Sequence, residues 1–387
     1  MVAAYLAILL FSVNFMLQGK YILSLLFVGQ CIKKKRIIVD SKFCILLAFS
    51  FLYSICFLLS LSKLPIDVLL LPVGYLIGLN WDLDSFDKTD TVSKVFFCLS
   101  MGMCFHVFLN LSSEIISNGG FNYGAIHYDF WSGSVSSSTG QMMNFTMSAT
   151  LITYLLFMRG KYLLSFIIIL PCFIYGNIVG SRTTMFICGL SIIVGIVILI
   201  RNIRKNNVKK TLLILLLISL IFFVIIQANI FGISDIFNKS YLFSRFNNSV
   251  SAGESVFSTQ RWGIKGEYLV NALEWPWGGG KIRQMSNNLY AHDIFLDTLS
   301  EGGIICLILL ISYFVFFIKN ILRFIRANNT LEIKLLFIPY IVIVLIQMFL
   351  EPVIDGAPIF LTSVILIDGV ITNANRMRVI NENSFFI

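Results

Sequence analysis

The feature that most constrains the fold is a succession of apolar stretches, most of them about as long as a bilayer is thick. A helix needs roughly 20 residues to cross about 30 Å of hydrocarbon, and such stretches recur along the whole chain of 387 residues. The chain is only 13% charged and has a mean hydropathy of +0.86, which lies outside the range of soluble domains. Backbone exposed to lipid must satisfy its own hydrogen bonds, and a β-barrel would show alternating apolar residues. The sequence therefore predicts an all-α, polytopic membrane protein.

We predict about twelve transmembrane helices in a single integral membrane domain that covers residues 1–387. The predicted spans are residues 3–17, 21–32, 43–61, 64–81, 92–112, 141–158, 162–180, 184–200, 211–231, 292–318, 335–350 and 357–373. The first stretch lacks a basic leader and a small-residue cleavage site, so we interpret it as a retained helix. All eight cysteines fall within these spans, where we expect them to pack as small apolar residues. No disulfide framework and no metal site is indicated.

The formal net charge of +9 follows a topological pattern and does not indicate a nucleic-acid partner. When the basic cluster at residues 33–36 is placed in the cytoplasm, that side holds 20 of the 29 Lys and Arg residues, as the positive-inside rule requires. Both termini are then cytoplasmic, and two long connections face outward, residues 113–140 and a large periplasmic loop at 232–291. Six of the nine outer basic residues lie in the large loop. Because this runs against the topological rule, we expect an anionic ligand there.

The outer basic residues are candidate contacts for that anion. Arg182 follows a glycine–serine pair at a membrane boundary, where a guanidinium is either a snorkelling anchor or a phosphate contact. Arg261 opens a predicted amphipathic helix that carries Trp262 and that Pro276 ends. Its alternative role is a solvated surface charge. Three further cations of the loop are candidate substrate contacts or ordinary exposed charges: Arg245, Lys281 and Arg283.

His292 is the candidate base, because an imidazole titrates near neutrality and can either accept a proton or donate to a phosphate oxygen. The alternative is a histidine that merely lies at a helix end. Asp293 is a predicted helix N-cap. If His292 and Glu301 lay on one helix, their spacing would place them on opposite faces.

Other outer polar residues have weaker signals. Trp131 lies in an aromatic segment that predicts either an interfacial belt or a sugar-stacking platform. His106, inside a span, is expected to make a hydrogen bond within the bundle. Glu351 and Asp355 lie in the last outer connection, where we favour a solvated turn over a role in deprotonating an acceptor.

The order of these motifs resembles that of the bacterial O-antigen polymerase and O-antigen ligase superfamily. The motifs are Gly180-Ser181-Arg182-Thr183, Arg261-Trp262, Pro276-Trp277-Gly278-Gly279-Gly280, His292-Asp293-Ile294-Phe295-Leu296 and Glu301-Gly302-Gly303. The resemblance extends over nearly the whole chain and departs from the family at Asp293, where the family has Asn. It implies a glycosyltransferase without metal or cofactor that uses an undecaprenyl-pyrophosphate-linked oligosaccharide. It also implies that Arg182, Arg261 and His292 are the catalytic residues.

The leading hypothesis is an O-antigen or related surface-polysaccharide polymerase at the periplasmic face of the bacterial inner membrane. The nearest alternative is the ligase, which takes the same donor but lipid A core as acceptor. A polysaccharide flippase is an alternative of another class, which a basic cavity across the membrane would favour. A purely structural membrane partner ranks last. The polymerase hypothesis allows a chain-length-regulating protein as a further partner.

Overall fold

The computed structural model describes residues 2–34, 37–83, 88–123, 126–202, 233–240, 242–244 and 260–384, with isolated positions at 220, 224 and 227–229. The structure is about 81% helical. Its described residues contain one antiparallel pair of short strands. The predicted all-α fold class is thus confirmed.

The helices before residue 203 are joined mostly by short connections. They are α1 (Val2–Ser12), α2 (Gly19–Lys33), α3 (Ser41–Leu61), α4 (Ile66–Leu69), α5 (Leu71–Leu79), α6 (Lys88–Asn118), α7 (Ser138–Met158), α8 (Tyr162–Val179) and α9 (Arg182–Asn202). A 3-10 turn, Phe15–Leu17, precedes α2. The strands β1 (Ile126–Tyr128) and β2 (Val135–Ser137) form a hairpin between α6 and α7.

The described helices after residue 232 comprise the loop and the last spans. They are α10 (Ile233–Lys239), α11 (Gln260–Glu274), α12 (Lys281–Met285), α13 (Ile294–Asn328), α14 (Leu331–Leu350), α15 (Val353–Gly356) and α16 (Pro358–Ser384).

Five helices of the described chain are long and apolar enough to cross a membrane: α3, α6, α13, α14 and residues 358–378 of α16. Three shorter apolar stretches accompany them, Val2–Ser12, Ile66–Leu79 and Leu163–Val179. The chain is therefore a membrane-embedded helical protein. The count of twelve spans stays a prediction, and the span predicted at 211–231 lies outside the described residues except at the isolated positions.

Local sequence fixes where several helices begin and end. The Asp40 carboxylate accepts the Phe43 N–H at 2.9 Å ahead of α3, and the Thr330 hydroxyl oxygen accepts the Ile333 N–H at 3.3 Å ahead of α14. Such caps satisfy amides that have no partner within the helix. Gly180, with a φ of +75°, ends α8 immediately before α9, and a glycine tolerates this left-handed conformation without strain.

Side-chain contacts divide the polar residues between the two ends of the bundle. The start of α9, the start of α13 and the end of α14 meet at one end, which we call the outer end because the sequence predicts that it faces away from the cytoplasm. The start of α3 meets the second half of α16 at the opposite end, which we call the inner end.

Two glycines allow α5 and α16 to cross in the centre of the bundle. A Cβ added at Gly78 would lie 2.2 Å from the Leu366 carbonyl oxygen, and one added at Gly369 would lie 2.3 Å from the Tyr75 carbonyl oxygen. Both distances are far below van der Waals contact, so only glycine fits. Small residues of this kind let helix backbones approach closely in a membrane.

A buried polar group, which we call the inner network, links α3, α13 and α16. The Lys42 Nζ donates to both carboxylate oxygens of Asp368 at 2.8 Å and to the Thr372 hydroxyl at 2.7 Å. The Tyr313 hydroxyl donates to Asp368 at 3.0 Å, and the Asn320 amide does so at 2.8 Å. Every charge in the network therefore has several partners, as a buried ion pair requires.

Candidate functional site

The helix predicted to start at Arg261 is present as α11, and its cations face the end of α14. The Arg261 Nη1 donates to the Leu350 carbonyl at 3.0 Å and lies 3.7 Å from the Glu351 carboxylate. The Lys265 ammonium donates to the preceding carbonyl of α14 and lies 3.1 Å from Asp293. Free carbonyls and the dipole at a helix C-terminus both favour cations. These contacts hold α11 against the outer end of the bundle.

The face of α11 next to these cations is apolar and exposed. Its members are Trp262, Leu269, Val270 and Leu273, and the last of these is 86% exposed. An exposed apolar face beside a charged one is typical of helices that rest in the lipid–water interface. Trp262 also borders the charged face, since the Lys265 Nζ lies 5.3 Å from its ring centroid.

His292 lies just before α13 and not within it. Its φ is +54°, a left-handed conformation that interrupts helical backbone. The Asp293 carboxylate caps the helix by accepting the Phe295 and Leu296 amides at 3.0 and 3.3 Å, as the sequence predicted. The span predicted to begin at residue 292 therefore begins at Ile294. The two residues therefore do not share one helix, and the condition under which His292 and Glu301 would lie on opposite faces is not met.

The surroundings of His292 keep its imidazole neutral. Burial, together with the positive charges of Arg261 and Lys265, lowers the His292 pKa to about 4. The Nδ1 atom is buried and has no hydrogen-bond partner among the described residues. We call Arg261, Lys265 and His292 the cationic cluster. A bound anion would offset the repulsion between its members and accept a hydrogen bond from His292.

Glu351 connects the cationic cluster to the start of α9. Its carboxyl is only 2% exposed, and burial raises its pKa, against the opposing effects of Arg261 and of a hydrogen bond from Thr183. Thr183 follows Arg182, the first residue of α9. Two of the predicted phosphate contacts, Arg182 and Arg261, therefore belong to elements that meet at the same carboxyl group. The N-terminus of α9 is itself favourable to an anion.

The glycine turn at residues 278–280 fits into a break in α13. Gly303 has a φ of +76° within this helix, and the Ile304 N–H donates to the Pro276 carbonyl at 2.9 Å instead of to its own helix. The Gly279 and Gly280 amides donate to the Glu301 and Ser300 carbonyls, both at 2.8 Å. These amides are used within the protein and do not form a phosphate-binding loop. The turn and the Glu301-Gly302-Gly303 motif thus pack together through main-chain hydrogen bonds, and we call this contact the joint.

A second group of ionisable side chains lies beside this joint, and we call it the Arg283 cluster. Arg283 and Glu301 are both buried, with Nη1 3.1 Å from Oε1. The Tyr290 ring centroid lies 4.9 Å from the Arg283 guanidinium carbon, and the Tyr290 hydroxyl hydrogen-bonds to exposed Asp355. Arg283 was predicted as a phosphate contact, but its charge is paired with a carboxylate here.

The remaining predicted substrate contacts lie elsewhere. Lys281 is exposed at the start of α12. The Trp131 indole donates to the Val13 carbonyl at 3.1 Å, and its ring packs against Phe15. These contacts are with the connection after α1 and not with the cationic cluster. Arg245 lies outside the described residues.

The other two histidines each contact a carboxylate near the β-hairpin. His106 Nε2 lies 2.9 Å from Asp129, and His127 Nδ1 lies 2.8 Å from Glu114. His106 makes a hydrogen bond, as predicted, but its partner belongs to the hairpin and not to another helix of the bundle. These pairs attach the hairpin to α6.

Lys265 is the member of the cationic cluster that the sequence analysis did not single out. A signal was available, since Lys265 follows Arg261 by one helical turn and therefore shares its face of α11. The pairing of Arg283 with Glu301 had no such local signal, because it depends on the glycine turn fitting into α13. Comparison of the sequence with models of protein families and with curated proteins gives no match.

Proposed function

We propose that the protein is a polymerase of O-antigen or a related surface polysaccharide that acts at the periplasmic face of the bacterial inner membrane. The observation that carries this proposal is the cationic cluster itself. Arg261 and Lys265 lie one turn apart on α11 and close enough to His292 to lower its pKa, and the end of α14 and the cap of α13 supply their carbonyl and carboxylate partners. Such a group suits a phosphate at headgroup depth.

The cluster would bind the pyrophosphate of an undecaprenyl-linked oligosaccharide. In the reaction, the bond between the sugar and the pyrophosphate breaks, and the pyrophosphate leaves with the electron pair. Arg261, Lys265 and, from the start of α9, Arg182 stabilise the charge that develops on the leaving group. Preorganised donors of this kind contribute about 3–4 kcal/mol each to the transition state. His292 donates a hydrogen bond to a phosphate oxygen, since a neutral imidazole carries one N–H.

The exposed apolar face of α11 supports a lipid-linked substrate. Trp262 and Leu273 lie on this face, and on the adjoining face Arg261 and Lys265 contact the end of α14. A lipid whose pyrophosphate reaches the cluster would keep its hydrocarbon chain within the bilayer beside α11. No water-filled route for the chain is needed, because the substrate reaches the site laterally.

The test is the lipopolysaccharide ladder of a strain that lacks this protein, complemented with wild type or with Arg261→Ala. Loss of a polymerase should leave lipopolysaccharide capped by a single repeat unit, and Arg261→Ala should fail to restore long chains while its amount in the membrane stays normal. The matched control is Lys239→Ala, which removes an exposed cation from α10 of the same loop and should restore the full ladder.

Other outcomes would assign the protein differently. Lipopolysaccharide without any repeat unit in the deletion strain would indicate the ligase reaction. Lipid-linked repeat units confined to the cytoplasmic leaflet would indicate a flippase. Normal chain length with Arg261→Ala would end the proposal that the cationic cluster performs the transfer.

A further inference from the structure

The Arg283 cluster is chemically unlike the cationic cluster, although both lie at the outer end. One cation, Arg283, faces two carboxylates, Glu301 and Asp355, so carboxylates outnumber cations here, whereas Arg261 and Lys265 each face one carboxylate. A phosphate is therefore disfavoured there by charge. Carboxylates, a guanidinium and an accessible tyrosine ring are instead the groups that bind neutral, hydroxyl-rich ligands such as sugars.

Two buried polar atoms of the Arg283 cluster, Glu301 Oε2 and Arg283 Nη1, have no hydrogen-bond partner among the described residues. Glu301 is only 2% exposed, and its Oε2 has no hydrogen-bond partner among the described residues. This oxygen points toward Gly280, where an added Cβ would lie 3.2 Å away. A buried carboxylate oxygen normally accepts a hydrogen bond, because leaving it without one is costly. A sugar hydroxyl is a donor of suitable size.

Aromatic side chains provide a surface for the apolar face of a sugar ring. Tyr290 is 38% exposed while its ring also covers Arg283, and Trp277 in the adjacent glycine turn is 69% exposed. Amphipathic rings of this kind stack on sugars. Exposed Asp355 lies at the rim, joined to the Tyr290 hydroxyl.

The two clusters share the same structural elements, which places them side by side. Glu351, which contacts Arg261, lies four residues before Asp355 in the connection between α14 and α16. Asp293, which contacts Lys265, begins the same helix that carries Glu301. A ligand in the Arg283 cluster is therefore adjacent to one in the cationic cluster.

We infer that Arg283, Tyr290, Glu301 and Asp355 form the subsite for the acceptor sugar, and that Asp355 takes the hydrogen of the attacking hydroxyl. This inference rests on the proposed polymerase function. The acceptor oxygen forms the new bond to the donor sugar as its proton passes to the Asp355 carboxylate. The bond from the donor sugar to the pyrophosphate breaks, and the lipid pyrophosphate leaves with the electron pair. Glu301 and Arg283 position the acceptor without taking part in proton transfer.

The kinetic test uses the full chain in proteoliposomes. The donor is the lipid-linked repeat unit that accumulates in cells lacking this protein, and the acceptor is the soluble oligosaccharide released from it by mild acid. Asp355→Asn should lower kcat by about 10²–10³-fold with little change in KM for the acceptor, which is the usual effect of removing a general base. Tyr290→Ala should raise the acceptor KM about tenfold and leave the donor KM unchanged, because it removes a stacking surface.

The control is Glu267→Gln, which alters an exposed carboxylate of α11 and should leave both constants unchanged. A normal kcat for Asp355→Asn, or a change in donor KM instead of acceptor KM for Tyr290→Ala, would overturn the assignment of the acceptor subsite. In both cases wild-type transfer would leave the proposed function intact.

A binding measurement separates the subsite from the reaction. Saturation-transfer NMR of the soluble oligosaccharide with detergent-solubilised protein should give a signal with wild type that Glu301→Gln weakens at least about fivefold, through loss of a buried charged acceptor. If wild type catalyses no transfer but shows this signal, the polymerase reaction is wrong while the sugar subsite stands. Absence of the signal with wild type would refute the subsite.

Discussion

The inner network and the cationic cluster are both groups of charged side chains at the end of a helical bundle, but their hydrogen bonding differs. In the inner network Lys42 has three acceptors and Asp368 has three donor groups. At the outer end, His292 Nδ1, Glu301 Oε2 and Glu351 Oε2 are buried without hydrogen-bond partners among the described residues. A buried charged group therefore reveals little about function until its partners are counted.

The comparison separates stability from ligand binding. Removing one partner of a satisfied buried ion pair leaves the other charge uncompensated, so the folded state loses stability. Removing a cation from the cationic cluster relieves repulsion within the cluster but leaves Glu351 or Asp293 without its partner, so the loss of stability should be smaller than in the inner network. Mutations at the inner end should consequently affect folding, whereas those at the outer end should affect activity.

The largest effect on stability is expected for Lys42→Ala. It strands the Asp368 carboxylate inside the bundle and should lower the free energy of unfolding by about 3–5 kcal/mol, measured by steric trapping in micelles. The matched control is Lys33→Ala, because Lys33 also pairs with an aspartate, at 2.5 Å, but is 68% exposed. That change should cost less than about 1 kcal/mol. Equal effects of the two substitutions would remove the distinction between the inner network and a surface pair.

An intermediate effect is expected for Lys265→Ala, because Lys265 both neutralises a buried carboxylate and belongs to the cationic cluster. Lys265 neutralises Asp293 at 3.1 Å, so its loss should cost about 1–2 kcal/mol of unfolding free energy. The same change removes a cation from the cluster and should slow polymerisation by about 10²-fold. Rates with the lipid-linked donor and unfolding free energies would be measured on the same preparations. A loss of stability without a loss of rate would place Lys265 with the structural residues.

A smaller effect, on pH dependence, is expected for His292. Its pKa of about 4 in the free protein lies below the usual value near 6.5, so the unfolded chain takes up a proton first. The His292 contribution to stability is therefore complete above about pH 6.5 and is lost as the pH falls toward about 4. A bound anion favours the protonated ring, so binding of undecaprenyl pyrophosphate should take up a proton in this range.

The corresponding measurement compares affinities for undecaprenyl pyrophosphate at about pH 5 and about pH 7.5. Wild type should gain more affinity at the lower pH than His292→Gln does. Titration of the ligand affects both proteins equally, so the difference between them reports on His292. Parallel pH profiles would show that His292 does not contact the phosphate.

The smallest effect is expected for Lys281→Ala. Lys281 is exposed at the start of α12, so its removal should change the unfolding free energy by less than about 0.5 kcal/mol and leave chain length unchanged. A shortened lipopolysaccharide ladder would instead return Lys281 to the substrate contacts that the sequence suggested.

Sequence reasoning succeeded where the signal was local. Periodicity and caps predicted α11 and the start of α13, because the spacing of apolar residues and an aspartate before a helix act within a few residues. The same reasoning could not pair Lys42 with Asp368, which lie 326 residues apart in sequence. It also could not show that the glycine turn fits into α13, since that depends on how two distant segments pack. The acceptor subsite follows from this packing and was missed with it.

The break at Gly303 has a mechanical consequence. Three main-chain bonds cross from the loop to α13 at this point, each 2.8–2.9 Å long, and they use the amides and carbonyls that an unbroken helix would have kept for itself. The first turns of α13, up to the break at Gly303, are thereby joined to the loop through main-chain hydrogen bonds. Asp293, which contacts Lys265, and Glu301, which contacts Arg283, both belong to this segment, so the two clusters share one main-chain connection to the loop.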